Sequence, residues 1–442
     1  MSKKNHRSKR KQLFDPDPIA TAIDRAVNLD LTGAQHVYAL DSDLTLYGFN
    51  RQASELRKKF VPNAFDTTPL ETLTFEKFFK VNEHMGNLEK INFPDPKMRI
   101  QPGTQYSDKI HLRARALMHW VLGTFWVDEW FNECKHSGGS TLGVSYKDTS
   151  PERKFTFPMT TTKEAKGLFD QYLRYDTTMW RAIEKFNCLN PVTGWYEVVE
   201  SSRATTVDKT SQIKRLICVE PTCNMFLQQG LMQMMYNRMR KVGLDVEVLP
   251  DIHRQRAKWS SITGRDATID WSSASDCGSR ELLGWLLPPR WFDVVDKTRC
   301  KSSLFNGEVI ELNMFSTMGN AVTFPLETLI FWTYAQAVVL TEKGNTLSLY
   351  PEWDDLRECS VFGDDCIVPT AVAESYIKVM TEVGFIINKE KSYYGAEQFR
   401  ESCGGDYLVG YDVRPFHLKA PHSVAQSALE PWLYIIMNAL LK

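Results

Sequence analysis

The segment Ala321–Leu340, AVTFPLETLIFWTYAQAVVL, constrains this chain more than any other. It is long enough to cross a bilayer. Yet it carries Glu327, Gln336, three threonines and Pro325, which suit a helix buried inside a soluble protein. The helix is expected to begin near Gly319, and Pro325 is tolerable only in its first turn. A helix apolar on every side must be enclosed by other elements. At 442 residues the chain exceeds what one core usually supports, so two or three subdomains are expected.

Composition narrows the class. The chain is 43% hydrophobic and 24% charged, which excludes a disordered chain, a collagen and a coiled-coil rod. With 53 basic against 54 acidic residues it is not a uniformly basic nucleic-acid binder. A groove for RNA or DNA would need segregated positive charge. Six basic and no acidic residues fall in residues 1–14, which reads as a disordered, solvated arm able to attract phosphates. No apolar stretch follows it, so it does not read as a secretory signal. Nine scattered cysteines without a C-x-x-C suit a reduced, intracellular chain.

Residues 15–200 read as short helices broken by Pro and Gly. Residues 207–221 read as a basic loop entering a short strand. A helix follows, with Leu227, Leu231, Met235 and Met239 on its apolar face. Residues 267–273 read as a strand ending in a polar turn, before a helix that runs to Pro288-Pro289. Alternation over 308–315 predicts a strand. CSVFGDDCIV at 359–368 has the pattern of a hairpin. Thr370 is expected to cap the next helix, whose stripe is Val372, Tyr376, Val379 and Val383, and 385–388 returns as a strand. Residues 267–390 thus predict an α+β unit: a small, mostly antiparallel sheet with helices on one face.

Asp270, Asp364 and Asp365 stand at strand ends or turns among apolar residues, where an unpaired charge is costly. A bound cation would offset that cost. Oxygen ligands without histidine or cysteine suit Mg²⁺ or Mn²⁺. Two such ions about 4 Å apart can clamp the attacking and leaving oxygens of a phosphoryl transfer. Taken singly, Gly-Asp-Asp is an ordinary turn and Asp270 a helix cap. Their order along the chain changes the reading. DWSSASD begins at Asp270, Ser316-Thr317-Met318-Gly319-Asn320 opens a helix, and Gly363-Asp364-Asp365 sits on a hairpin. This succession resembles motifs A, B and C of right-handed nucleic-acid polymerases.

SSASD, STMGNAVTFPLETLIF and FGDD, with FRESCG at 399–404 and EPTCNMF at 220–226, resemble the replicase of the single-stranded RNA phages, the levivirus-like family. Pro325 stands where that family has an acidic residue, and Phe362 replaces its usual tyrosine. The resemblance implies a right-hand polymerase with fingers, palm and a short thumb. On that basis the arm is 1–14, the fingers and N-terminal region 15–255, and the palm 256–395. The start of a thumb, reduced or truncated, is 396–442.

It also implies roles. Asp270, Asp364 and Asp365 are the expected catalytic ligands of two Mg²⁺ ions, with Mn²⁺ as a substitute. Lys209, Lys214 and Arg215 would neutralise the triphosphate. Asp276, Ser316, Gly319 and Asn320 would contact the nucleotide, with Asn320 bonding Asp276 to read the ribose. Lys391, or Lys389, would protonate the leaving pyrophosphate. Arg400 and Glu401 would touch the growing RNA strand. The implied activity is an RNA-directed RNA polymerase copying a phage genome in the cytoplasm of a bacterial host. RNA template and product and ribonucleoside triphosphates would be its partners, with host translation elongation factors Tu and Ts and ribosomal protein S1, and no membrane. A reverse transcriptase and a catalytically inactive RNA-binding protein are the alternatives.

Overall fold

Helix Thr323–Glu342 forms as its apolar run dictates, and every residue from Thr328 to Leu340 is buried. In this computed structural model the described residues are 18, 20–23, 25, 42–61, 66–144, 147–155, 158–189, 194–344, 355–421 and 426–440. The basic arm lies outside them. The helix starts at Thr323 rather than near Gly319, which places Pro325 in its first turn. There its missing N–H costs nothing. Two of its buried polar side chains are tied to neighbouring elements. The Tyr334 hydroxyl bonds Nδ1 of His111 at 3.0 Å, and Gln336 Nε2 donates to the Leu356 carbonyl at 3.1 Å. No helix among the described residues is long and apolar enough to cross a membrane.

The chain divides into two compact units. One comprises residues 1–76, 206–215 and 413–442, the other 77–205 and 216–412. In the first, Leu418, Trp432 and Ile436 form a core with Ala20, Leu56 and Phe60. Gln52 clamps the backbone of Phe416 through both ends of its side-chain amide. The division runs along other lines than the expected boundaries. Residues 413–442 join the N-terminal segment rather than continuing from 396–412, because their apolar side chains find cover there. The expected palm, 256–395, lies wholly within the second unit.

The second unit holds the sheets that carry the aspartates. Strands Asp266–Ile269, Asp365–Pro369 and Ser360–Phe362 form an antiparallel sheet in that order, with Asp365–Pro369 central. Its register pairs Cys366 with both Ile269 and Val361. Trp271–Ser272 continues after Asp270 and pairs with Ile386–Ile387. Strand Phe399–Ser402 forms a hairpin with Gly405–Leu408. All four residues of Asp266–Ile269 are buried, so both faces of this sheet are covered. Tyr376 reaches Cys366 on one face. His253 of helix Leu249–Thr263 bonds Ser360, whose partner Ile367 points to the other. Helices therefore pack on both faces, not one.

Helix Thr222–Arg240 buries the expected stripe of Leu227, Leu231, Met235 and Met239 completely. Three local expectations change. The strand of 308–315 ends at Glu311, paired with Ser302–Phe305. The helix expected after 273 is split into a short turn at Ala274–Asp276 and helix Arg280–Leu286. Thr370 does not cap helix Ala373–Glu382; its hydroxyl donates to the Gly264 carbonyl at 2.7 Å.

Candidate active site

The antiparallel register brings the aspartates together. Asp270 follows Ile269, which is opposite Cys366, so it meets the Asp364-Asp365 turn across the strand ends. The turn needs Gly363, whose φ is +61° and where a Cβ would lie 2.8 Å from Cε2 of Phe324. The Gly363 N–H donates to Thr328 Oγ1 at 2.9 Å, tying the turn to helix Thr323–Glu342.

Each buried carboxylate has its own support. Asn388 Nδ2 donates to Asp270 Oδ2 at 2.6 Å, and the Asp270 N–H donates to Ser392 Oγ at 3.1 Å. Burial and then the Asp364 charge push the Asp270 carboxyl up to about 6, against the pull of Lys391 and Asn388. Asp365 accepts the Cys403 N–H at 3.2 Å and the Ser402 hydroxyl at 3.4 Å. Burial, Asp364 and Asp270 push it up to about 7. Ser402 also bonds His253 Nδ1 at 2.9 Å, and His253 Nε2 meets Ser360 at 2.9 Å. Burial, then the Arg256 charge, pulls this imidazole down to about 3, so it is neutral.

Mutual repulsion among carboxylates is the condition a divalent cation relieves. Asp270, Asp364 and Asp365 supply oxygen donors of the type that Mg²⁺ and Mn²⁺ prefer. Among the described residues, no three or more His, Cys, Asp or Glu side chains already converge as a metal cage. The fit therefore rests on donor chemistry and on the raised carboxyls. A fourth acid, Glu327, lies under the turn, with Oε1 3.1 Å from where a Gly363 Cβ would stand. Burial and the charges of Asp364 and Asp276 hold it well above the carboxylate range.

The loop of Ser316, Gly319 and Asn320 lies against the strand that ends in EPTCNMF. The Cys218 N–H donates to the Met318 carbonyl at 2.8 Å. A Cβ at Gly319, where φ is +115°, would sit 2.3 Å from the Cys218 carbonyl oxygen. Asp276 accepts the Met318 N–H, and burial pushes its carboxyl up to about 7. One expectation fails here. Asn320 Nδ2 donates to Glu220 Oε1 at 3.4 Å, not to Asp276. The cap of the following helix is Ser279, whose Oγ accepts the Leu282 N–H at 3.0 Å.

Lys391 pairs with Glu401 at 3.5 Å. Burial pulls its ammonium down, but Glu401, Asp270 and Asp365 outweigh that and raise it. Lys389 is exposed. Arg400 is a correction: it is fully buried and donates to the carbonyls of Asp266, Glu397 and Phe399. It braces the sheet and does not face a growing strand. Lys209, Lys214 and Arg215 belong to the first unit. Lys214 is paired there with Glu71 at 2.9 Å and Asp208 at 3.6 Å, and Arg215 is exposed.

Sequence reasoning missed Asn388, Ser392, His253, Ser402 and Glu220. Asn388 and Ser392 flank the two lysines singled out above, and Ser402 lies inside FRESCG. His253 had no local signal.

A family model described as RNA replicase, beta-chain, matches residues 51–438. The chain is 28% identical to the RNA-directed RNA polymerase beta chain of Escherichia phage MS2, over 92% of this chain and 70% of that one. It is 32% identical to the corresponding chain of Enterobacteria phage GA, over 75% and 61%. With the RNA-directed RNA polymerase subunit beta of Escherichia virus Qbeta it shares 33%, over 75% and 52%. The chain thus spans between about half and 70% of these relatives' length. Its fold is similar to an insertion-loop deletion mutant of the RNA-dependent RNA polymerase of a human picobirnavirus. The TM-score is 0.50 at 14% identity, over 89% of this chain and 72% of that one.

Proposed function

This chain belongs to the RNA replicase beta-chain family, and on that premise we propose that it is an RNA-directed RNA polymerase that copies a phage RNA genome from ribonucleoside triphosphates. The observation that carries the reading is the meeting of Asp270 with the Asp364-Asp365 turn, where burial and then the neighbouring carboxylates raise Asp270 and Asp365. Asp270, Asp364 and Asp365 would hold Mg²⁺, with Mn²⁺ as a substitute. When bound, such ions supply charge stabilisation to both oxygens of an in-line phosphoryl transfer.

The chain's own residues do the rest. Asn388 and Ser392 hold Asp270, and Cys403 and Ser402 hold Asp365. Lys391, held as a cation beside Glu401, donates a proton to the departing pyrophosphate. Asp276 and Asn320 read the ribose, with Ser316 and Gly319 shaping the loop that carries Asn320. On the family reading, Lys209, Lys214 and Arg215 neutralise the triphosphate. Glu401 contacts the growing strand. Host translation elongation factors Tu and Ts and ribosomal protein S1 belong to this reading, as does a bacterial cytoplasm.

The test uses purified protein, a generic RNA template, Mg²⁺ and labelled nucleotides, with and without bacterial extract. Metal-dependent ribonucleotide incorporation is expected. Incorporation of deoxyribonucleotides alone would indicate a reverse transcriptase. RNA binding without incorporation under either condition would indicate an inactive relative.

A further inference from the structure

Asn320 is fastened before any nucleotide arrives. Its Oδ1 accepts the Val322 N–H at 3.0 Å, and one Nδ2 hydrogen goes to Glu220 Oε1 at 3.4 Å. An amide has two N–H donors, so this geometry leaves one for a ligand. Glu220 is 3% exposed, and its carboxyl also lies beside Cys300 and Gln228. Its carbonyl accepts the Leu142 N–H at 2.9 Å, and it sits just before Pro221, the N-cap of helix Thr222–Arg240. Gln228, two turns along that helix, accepts the Ala321 N–H at 3.2 Å and donates to the Thr298 carbonyl at 2.7 Å. Ala321, which follows Asn320, and Glu220, which meets its amide, are thus both tied to helix Thr222–Arg240.

We propose that Glu220 is a positioning residue for sugar selection: it holds the Asn320 amide in the one orientation that leaves an N–H for the ribose 2′-hydroxyl. It does so without touching the nucleotide itself. The inference rests on the reading of Asn320 as a ribose contact. The physical reason is that the terminal torsion of Asn is broad and roughly two-fold. A buried acceptor on one side selects a single setting, whereas an apolar neighbour would leave the amide free to turn away. A carboxyl kept in the interior at a cost, with Cys300 and Gln228 beside it as well as Asn320, is accounted for if it orients a group that must discriminate.

The experiment compares kcat/KM for ribonucleotide and 2′-deoxyribonucleotide incorporation in wild type, Glu220→Leu, Glu220→Asp, Glu220→Gln, Asn320→Ala and the Glu220→Leu/Asn320→Ala double variant. Glu220→Asp withdraws the acceptor by one methylene and serves where Glu220→Leu does not fold. Asn320→Ala, Glu220→Leu and Glu220→Asp should each lower the ribo-to-deoxy ratio about tenfold, the worth of one lost hydrogen bond. Glu220→Gln, which keeps an acceptor oxygen, should stay within about threefold of wild type, a difference smaller than a typical hydrogen bond contributes. The double variant should fall no lower than Asn320→Ala, because the two act through one contact. A lowered ratio in Asn320→Ala beside wild-type ratios in Glu220→Leu and Glu220→Asp would overturn this inference alone. A wild-type ratio in Asn320→Ala would overturn the ribose reading and the inference with it.

Discussion

Asp364 differs from its two neighbours in being exposed at the turn, while Asp270 and Asp365 are held by side chains and backbone around them. After burial, its charge is what raises both carboxyls most. Replacing it therefore has two separable consequences. Asp364→Ala should abolish nucleotide incorporation, because loss of a metal ligand costs several kcal/mol of transition-state stabilisation. The fold should survive, since a like charge has been removed. The titrations of Asp270 and Asp365 should move to lower pH, which carboxyl NMR would follow. Incorporation near the wild-type rate would contradict the ligand role, and unmoved titrations would contradict the coupling.

Helix Leu249–Thr263 does more than cover a sheet face. Through His253 it links Ser360 of one strand to Ser402 of another, and Ser402 reaches Asp365. His253→Ala would leave two buried hydroxyls without that partner. It should destabilise the protein by about 1–3 kcal/mol in denaturant unfolding and lower kcat more than it raises KM. Equal losses in a distant core variant of matched stability would reduce the relay to packing.

The loop from Ser316 to Asn320 makes a different demand, on pH. Burial raises Glu220 and Asp276 to about 7 in the folded chain. A carboxyl whose folded value lies above its unfolded one binds more protons folded than unfolded. Its contribution is fully present below pH ~4 and is lost as pH rises through about 7. Stability measured by urea unfolding should accordingly fall from pH 4 to 7 through this pair, and Glu220→Gln should flatten the fall. A slope identical in Glu220→Gln and wild type would show that Glu220 does not titrate there.

Over the whole chain, two cores carry separate obligations. The first unit is assembled from segments at opposite ends of the sequence, and its core depends on Trp432, 6% exposed, against Leu56, Phe60 and Leu418. The Trp432 Nε1–H also donates to the Lys419 carbonyl at 2.6 Å. Trp432→Ala should cost about 3–5 kcal/mol. Limited proteolysis should then cut within 413–442 and near the N-terminal helix Ser42–Glu55 before it cuts elsewhere. Simultaneous cleavage of both units would show that they unfold as one.

What could be read along the chain was whatever depends on near neighbours. The enclosed helix, the Leu227–Met239 stripe and the Gly-Asp-Asp hairpin follow from periodicity and turn chemistry. The order of Asp270, the Ser316 loop and Asp364 carries the catalytic reading because each element places its polar residue at a strand end or turn. Partners distant in sequence were beyond that reach. Arg400 looks like a surface cation in FRESCG, yet it is buried because the Asp266 carbonyl, 134 residues earlier, accepts its N–H. Asn320 bonds Glu220, 100 residues away, rather than the Asp276 that motif order proposed. Residues 413–442 turn back to the N-terminal segment because buried apolar area, not chain order, determines where a helix docks. Spacing encodes local geometry. Which groups share a buried space depends on how the whole chain closes, and only the tertiary structure decides that.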